Sequence, residues 1–405
     1  KKLKNPHMIS MHCVAHKLAL VANAAMDSSP ELTAFETDIS TICTFFSKST
    51  KRQSGLKACF EACDNEVCYK MTHPSGTRWL SRAIALKAIF HNHANLIKYL
   101  KMTHRNEEGA DYILRKLSSF SFLMQLTAMT DILGSLNLVS MAFQSDSLTH
   151  RAVTVIVDQV KASFRECYIS VSHGSQTPCF QIKLRKLLSA VDLQMTERGV
   201  DTDEEIQEIV IEGNEISYSA GQRGSVETVL TQFVTRIESQ LILMFPKDST
   251  LVFSALDVLS PSMHCVEGNA DEDDMDTDFL EALIVLQSHY GESKPGCEMF
   301  SSEDSTGKPV NSKTFKAYID PELLEHEWLS VQGMLKKYST LSAAEFWHVM
   351  IKKGLYPETC KLARILLLTP MNSACCERDF SAMNIIKSRL RNRLDSDLLN
   401  ALMVC

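Results

Sequence analysis

Residues 369–405 read TPMNSACCERDFSAMNIIKSRLRNRLDSDLLNALMVC, and this stretch decides the C-terminal architecture of the chain. Its opening Thr-Pro pair ends a preceding helix, because proline restricts the residue before it and offers no backbone N–H. The Asn-Ser pair that follows caps a helix over about Ala374–Leu390. A last helix is predicted over Asp397–Val404, so two short helices close the chain.

Apolar and basic residues alternate along these two predicted helices. Residues three or four positions apart lie on one helix face, and the apolar ones form a stripe of Phe380, Leu390, Leu394, Leu398 and Leu402. This stripe is either intramolecular core or the contact surface of a dimer. Basic residues stand between the leucines, namely Lys387, Arg389, Arg391 and Arg393. They form either a solvated face or a set of phosphate contacts.

One carboxylate, Glu377, stands in the first turn of the first of these helices. One interpretation is a favourable interaction with the helix dipole. The other is a metal ligand for phosphoryl transfer, but two-metal chemistry needs several converging carboxylates. A single glutamate is therefore no evidence of catalysis by itself.

A second motif stands near the start of the sequence, where residues 7–25 read HMISMHCVAHKLALVANAA. The pattern predicts a short strand over His7–His12 and then a helix over Cys13–Met26. Cys13 and His16 lie one turn apart on the same helix face, a spacing that suits half of a zinc site. No second pair at metal-binding spacing follows, so we expect no metal site in this chain. The alternative is a small helix that packs its cysteine inward.

A third motif, GTRWLSR at residues 76–82, ends a turn-rich connector that begins near His73. Its Arg78-Trp79 pair has two interpretations. The tryptophan is either an aromatic plug at a domain junction or a ring that stacks on an unpaired base beside a phosphate-binding arginine.

The composition favours a mostly helical protein with a large core. The chain has 405 residues, 45% of them hydrophobic, which suggests two or three domains. Only 15 glycines and 11 prolines are present, which disfavours a β-sandwich or a Gly/Pro-rich disordered chain. The net charge of −7 excludes a uniformly basic coat for nucleic acid, although a local basic patch is compatible with it.

Helical periodicity predicts helices through most of the chain between Ile84 and Phe245, and again over Ala343–Lys352 and Pro357–Leu368. Two acidic segments interrupt this pattern. Glu197–Glu215 is predicted as a loop or an exposed helix, and Pro261–Asp278 as an acidic loop.

Cysteine usage and hydropathy indicate an intracellular protein without a membrane partner. The 13 cysteines are irregularly spaced in a long chain, which favours reduced thiols over a disulfide framework. The segment closest to a membrane span, Gln125–Phe143, carries Asp131, Gly134 and Asn137. A buried helix is therefore the better interpretation of that segment.

Taken together and in this order, the three motifs resemble those of hAT-family transposases. Residues 7–25 resemble the strand and Cys-x-x-His helix of that family, residues 76–82 its Arg-Trp motif, and residues 369–405 its C-terminal dimerisation region. The resemblance is closest to transposon-derived host proteins that carry an N-terminal zinc finger. It implies a mostly α chain that holds the C-terminal part of an RNase H-like α/β core, interrupted by a large all-α insertion domain. The expected domains are a partial RNase H-like core at 1–72, the helical insertion domain at 73–340 and the dimerisation helices at 341–405.

The resemblance also implies a role for individual residues. The third acidic position of the family's metal-binding Asp-Asp-Glu set falls on Glu377, and Cys13 and His16 fall on a helix near the active site. Trp79 resembles the tryptophan that stabilises a flipped base, with Arg78 beside it. The two aspartates have no counterpart in this chain, and we expect them, with any zinc finger, in a preceding part that is missing here.

The expected protein is therefore a domesticated, non-catalytic homodimer that resides in the nucleus and associates with DNA. It is expected to hold no cofactor, since Mg²⁺ or Mn²⁺ would serve only a catalytically active parent. Two alternatives remain open, namely a fragment of an active DNA transposase and a helical scaffold for protein interactions.

Overall fold

The structure is a computed structural model that describes residues 5–62, 68–73, 79–103, 109–145, 148–169, 181–198, 207–246, 251–264, 272–297, 312–369, 371–372 and 382–386. The described residues are mostly helical, with 76% of them in helices and 6% in strands. The helices are α1 (Val14–Met26), α2 (Pro30–Ser47), α3 (Thr50–Ala62), α4 (Trp79–Thr103), α5 (Ala110–Leu117), α6 (Phe120–Ala142), α7 (His150–Phe164), α8 (Ile182–Arg198), α9 (Ala220–Met244), α10 (Leu251–Asp257), α11 (Glu272–Tyr290), α12 (Pro321–Lys337), α13 (Ala343–Lys353) and α14 (Pro357–Leu368). The strands are β1 (Gln207–Ile211), β2 (Asn214–Tyr218), β3 (Lys294–Cys297) and β4 (Ser312–Phe315).

The chain divides into two compact units that interleave along the sequence. Unit 1 comprises Lys1–Val14, Phe143–Val155 and Pro246–Cys405, and unit 2 comprises Ala15–Ala142 and Ile156–Phe245. The units are defined by spatial compactness, so the motif-based domain boundaries at residues 72 and 340 stay a prediction.

The core of unit 2 is built around α6, which is apolar on nearly every side. Helices α4, α5, α8 and α9 pack against it, and its side chains from Leu126 to Leu136 are largely buried. Within the described residues α6 is long and apolar enough to cross a membrane, but 67% of its most apolar window is buried inside the protein. A helix that is hydrophobic all round belongs in the interior of a large protein, as the sequence predicted for this segment.

The core of unit 1 contains two fully buried tryptophans. Trp328 on α12 and Trp347 on α13 belong to one hydrophobic cluster, to which α10, α11 and α14 also contribute. Each indole N–H donates to a backbone carbonyl, Trp328 to Phe279 at 2.9 Å and Trp347 to Leu259 at 2.7 Å. The indoles therefore fill the core and satisfy their own polar group there.

The predicted strand over His7–His12 is wrong. Asn5–His7 form a turn in which the Met8 N–H donates to the Asn5 carbonyl at 3.1 Å, and residues 8–13 lie in coil. A strand needs a neighbouring strand for its backbone hydrogen bonds. Here His7 instead donates from its ring Nδ1 to the carbonyl of His289 at 3.0 Å and stacks on Tyr290.

The sheets of the described residues are two antiparallel pairs, β1 with β2 and β3 with β4. They do not confirm the RNase H-like sheet that the resemblance implies. The β1–β2 hairpin also corrects the prediction of a loop or exposed helix in the first acidic segment. Its two-residue turn, Glu212-Gly213, has positive φ at both positions, 48° and 74°, which is the geometry of a type I′ hairpin turn.

The alternation of apolar and acidic residues explains why this segment forms a hairpin. The inward side chains of Ile209 and Ile216 are fully buried opposite each other, while the glutamates between them point outward. The second acidic segment is likewise more ordered than predicted, because α11 already begins at Glu272 and Pro261–His264 form a 3₁₀ turn. Acidic residues are favourable at a helix start, so the acidic run at the start of α11 is compatible with a helix and does not require the predicted loop.

Candidate functional site

The Cys-x-x-His motif lies at the start of α1, which begins one residue after Cys13. Cys13 is half-buried, and His16 is exposed in the first turn of the helix. Within the described residues no group of three or more His, Cys, Asp and Glu side chains could hold a metal ion. The described part of the motif therefore presents one histidine to solvent and leaves the thiol partly covered.

The first turn of α1 contacts the segment that opens the C-terminal motif. The Val14 N–H donates to the Met371 carbonyl at 3.1 Å, which satisfies one of the free N–H groups at this helix start. Met371 and Asn372 are both buried, and the Asn372 side-chain amide donates to the Ser145 carbonyl at 3.0 Å. Unit 1 thus holds the chain in place five residues before Glu377, next to the Cys-x-x-His motif.

The same helix contacts the Arg-Trp motif through Arg82, a residue for which no role was predicted. In unit 2 the Arg82 guanidinium donates to Asn23 Oδ1 on α1 at 3.0 Å and pairs with Glu36 Oε1 on α2 at 2.6 Å. The side chains of Arg82 and Glu36 are 14% and 29% exposed, so this pair is better shielded from solvent than most surface pairs. The motif at residues 7–25 therefore contacts each of the other two motifs, once in each unit.

The connector that leads into the Arg-Trp motif is held by a buried amide. Asn92 on α4 is fully buried; its Oδ1 accepts the Tyr69 N–H at 3.1 Å and its Nδ2 donates to the Tyr69 carbonyl at 2.7 Å. Met71 is buried beside it, and the ring of His73 is hydrogen-bonded to Ser40 Oγ at 3.2 Å. These contacts hold the chain up to His73, five residues before Arg78.

The predicted nucleic-acid, catalytic and dimerisation residues fall almost wholly outside the described residues. Trp79 begins α4, and its side chain lies outside that description. Of the remaining predicted residues, those outside the description are Arg78, Glu377, Phe380, Lys387, Arg389, Leu390, Arg391, Arg393, Leu394, Leu398 and Leu402. A single helical stretch, residues 382–386, is described between them, with Met383 and Ile386 half-buried and Ile385 80% exposed.

Helices α12, α13 and α14 form the described part of the region that precedes the C-terminal motif. Glu327 on α12 joins two of these helices, because its carboxylate accepts the N–H groups of Glu358 and Thr359 at the start of α14, at 3.1 and 2.8 Å. Glu358 in turn accepts the Asp320 N–H at 2.8 Å, just before α12 begins. These reciprocal carboxylate contacts fix the crossing of α12 and α14.

Residues 318–405 match the hAT family C-terminal dimerisation region. The match begins just before α12 and extends to the end of the chain, so it includes α12, α13, α14 and the motif at residues 369–405. It supports a protein related to hAT-family transposases and a role in self-association. The matched residues thus begin further upstream than the motif at residues 369–405.

Proposed function

We propose that this chain is the dimerising part of a domesticated, non-catalytic protein derived from an hAT transposase, and that it associates with nucleic acid in the nucleus. The observation that carries the proposal is the match of residues 318–405 to the hAT dimerisation region. The same region would supply the homodimer contact, and the Arg-Trp motif and the basic cluster would supply contacts to DNA.

Exposed apolar side chains in the matched region support the dimerisation role. Leu329 on α12 is 76% exposed, Leu368 at the end of α14 is 81% exposed, and Ile385 is 80% exposed. Scattered exposed leucines are common on protein surfaces, but larger apolar areas mark contact surfaces. With the stripe that ends in Leu398 and Leu402, these residues provide apolar area for a second copy of the chain.

The association with nucleic acid rests on residue chemistry and on the position of the motif. Arg78 and the cluster from Lys387 to Arg393 supply cations for phosphates, and Trp79 supplies a ring for an unpaired base. The connector before Arg78 and the helix after it are both anchored, through Asn92 and Arg82. An anchored motif loses less conformational entropy on binding than a free loop does.

The lack of catalysis is proposed because the chain offers Glu377 alone for a set of three carboxylates. Two divalent metal ions in in-line geometry need more ligands than one glutamate provides. We therefore propose no cofactor for this chain. Nicking of DNA in Mg²⁺ or Mn²⁺ that disappears in Glu377→Gln would instead favour the active transposase, with those ions as its cofactors.

Sedimentation at micromolar concentration tests the dimer. We expect the wild type to be a dimer and the double variant Leu398→Asp with Leu402→Asp to be a monomer of unchanged helicity. Leu280→Asp with Ile284→Asp is the matched control, because these two residues have the same spacing, lie outside the matched region and are 58% and 60% exposed. This control should stay dimeric.

Two outcomes would contradict this proposal. A monomeric wild type removes the self-association on which it depends. A double variant that loses its helical circular dichroism signal, while the control keeps it, shows that the two leucines belong to the intramolecular core. In that case the helical scaffold becomes the better interpretation.

A further inference from the structure

A stacked pair of aromatic rings lies on the surface of unit 2, between the connector and α4. The rings of Tyr69 and His91 are nearly parallel, with an interplanar angle of 16° and centroids 4.6 Å apart. Phe90 meets His91 edge to face at 5.5 Å. The Lys87 ammonium lies 5.7 Å from the centre of the Tyr69 ring, and Lys87 and His91 are both exposed. We call Tyr69, His91 and Lys87 the platform.

The platform is held rigidly without being buried. Asn92, the residue after His91, accepts from and donates to the backbone of Tyr69, so the connector cannot slide along α4. The anchor of this connector in the core is Met71, which is 2% exposed, whereas the ring of Tyr69 is only half-buried. Hydrophobic packing alone therefore does not account for the position of Tyr69.

Several of the described residues around Tyr69 are cations. Tyr69 also lines a groove of about 610 Å³ between α3 and the connector, together with Lys57 and Lys70, which are both largely exposed. Among the described residues that line this groove, Glu61 is a carboxylate, and it pairs with Lys57 at 3.6 Å. Both side chains of this pair are about two thirds exposed, so it contributes little and yields easily to a phosphate.

A neighbouring cation is left out of the platform for a physical reason. Lys183 lies 5.5 Å from the centre of the Phe90 ring, but its ammonium pairs at 3.0 Å with Asp131, whose side chain is only 9% exposed. Its charge is therefore already matched inside unit 2. Lys57, Lys70 and Lys87 remain as the cations that surround Tyr69.

We propose that the platform binds unpaired bases of single-stranded DNA, with a base stacked on the Tyr69–His91 pair and the backbone phosphates against Lys57, Lys70 and Lys87. Aromatic stacking beside a cationic track is the usual way in which proteins hold unpaired strands without reading their sequence. The inference rests on the proposed association with nucleic acid and adds a second contact to it. His91 lies twelve residues after Trp79 on α4, roughly 18 Å along the helix axis, so one short strand can span both.

Fluorescence anisotropy with the full chain tests the platform. The probes are a labelled oligothymidylate and an abasic strand of equal length, which carries the same phosphates without bases. We expect the wild type to bind the oligothymidylate more tightly. Tyr69→Ala should weaken that binding about 5- to 150-fold, the range expected for one lost base stack, and should leave the abasic strand bound almost as before. Tyr69→Phe keeps the ring and should bind like the wild type.

A lysine pair provides the matched control for charge. Lys337 lies 5.6 Å from the centre of the Tyr338 ring in unit 1, almost the geometry of Lys87 over Tyr69. Lys87→Ala should weaken binding of both strands and flatten the salt dependence, whereas Lys337→Ala should change neither. Circular dichroism confirms the fold of each variant. His91 is exposed, so DNA binding by His91→Ala tests the same aromatic stack if Tyr69→Ala disturbs the connector.

The outcomes separate the platform from the proposed function. If Trp79→Ala removes the preference for bases while Tyr69→Ala and His91→Ala bind like the wild type, the platform is overturned and the association with nucleic acid stands. If Tyr69→Ala weakens the binding of the oligothymidylate and of the abasic strand equally, base stacking is overturned and a general site for polyanions is indicated. Absence of any DNA binding by a dimeric wild type overturns both nucleic-acid proposals and leaves the dimerisation untouched.

Discussion

The helices α12 and α13 of unit 1 begin in a different way from the helices α5 and α9 of unit 2. In unit 1, Asp320 binds the first N–H groups of α12 and Ser342 does so for α13, whereas Glu327 reaches across from α12 to do so for α14. In unit 2, Ser29 and Ser49 cap α2 and α3, but neither Gly109 before α5 nor Ser219 before α9 makes a side-chain hydrogen bond to the helix that follows. Residues that are adjacent in sequence thus cap α12 and α13, whereas α5 and α9 begin without such a cap.

The long helix α9 shows what replaces a cap in unit 2. Its first turns contain two glycines, which are poor helix formers. Arg223 stabilises these turns by pairing with Asp192 on α8 at 2.5 Å and with Glu227 one turn further along α9 at 3.1 Å. The start of this helix therefore depends on a neighbouring helix, whereas α13 begins on its own sequence.

This difference predicts where single substitutions act. In unit 1 the helices α12 and α13 carry their own start signals, so their stability should depend on a few named side chains in the core and at the caps. At α9 in unit 2 the residue before the helix should matter little, because tertiary contacts hold the start of that helix. Three predictions test this comparison, from the largest expected effect to the smallest.

The largest effect is expected for Trp328→Ala in the core of unit 1. The indole is 1% exposed, lies 4.5 Å from the Phe279 ring and donates to the Phe279 carbonyl. Its removal leaves a cavity and breaks the indole hydrogen bond, for which we expect a loss of about 3–5 kcal/mol in the free energy of unfolding. Urea unfolding followed by circular dichroism measures it. Leu280→Ala, next to Phe279 on α11 but 58% exposed and outside the matched region, should lie within about 0.5 kcal/mol of the wild type.

The sequence predicts α13 and α14 of unit 1 close to their observed bounds, because local signals mark the ends of these helices. Pro357 and the Thr369-Pro370 pair mark the ends of α14, which was predicted over its observed range, and Ser342 with Glu345 marks the start of α13. Helical periodicity predicts a helix over Thr228–Phe245, whereas α9 already begins at Ala220, because the Arg223–Asp192 pair that stabilises its first turns is not visible in the local sequence.

The arrangement of the motifs could not be predicted from local sequence. The contacts of Val14 with Met371 and of Arg82 with Asn23 join residues that are far apart in the chain, and neither is encoded by periodicity or capping. Nothing in the local sequence of α4 distinguishes the buried Asn92 from its other polar residues, because its role depends on the contact with Tyr69. The resemblance identified which segments matter, and the structure showed which of their side chains meet.

An intermediate effect is expected from the pH dependence of unit 1, since one helix start there depends on a distant carboxylate. Asp257 is 1% exposed, and its Oδ2 accepts the Arg151 N–H in the first turn of α7 at 2.6 Å. Burial raises the pKa of this carboxyl from 3.8 to about 7, despite the hydrogen bonds that lower it. Between these two pKa values the folded state holds a proton that the unfolded state has released, so stability falls as the pH rises.

We expect this group to remove about 2 kcal/mol of stability between roughly pH 5 and pH 7. Burial lowers the pKa of His264 and of His289 in the same unit, and these two groups favour the folded state as the pH rises. The quantity to measure is therefore the difference between the wild type and Asp257→Asn in urea unfolding at each pH. A difference that stays constant over this range would show that Asp257 is ionised in the folded protein.

The smallest effect is expected at the two serines that precede α13 and α9, and it tests the comparison most directly. Ser342 Oγ accepts the Glu345 N–H at 3.3 Å, and the Glu345 carboxylate accepts the Ser342 N–H at 3.0 Å, which completes a capping box. Ser219 occupies the equivalent position before α9 and makes no such bond.

Ser342→Ala should therefore lower the free energy of unfolding by about 1 kcal/mol, and Ser342→Gly by only a few tenths. Ser219→Ala should stay within about 0.3 kcal/mol of the wild type, because it removes no cap and tertiary contacts hold that helix start. Hydrogen exchange localises the change: the first-turn amides of α13 should exchange faster in Ser342→Ala, and those of α9 should be unchanged in Ser219→Ala. Equal losses at both serines would mean that α13 and α9 do not differ in how they begin.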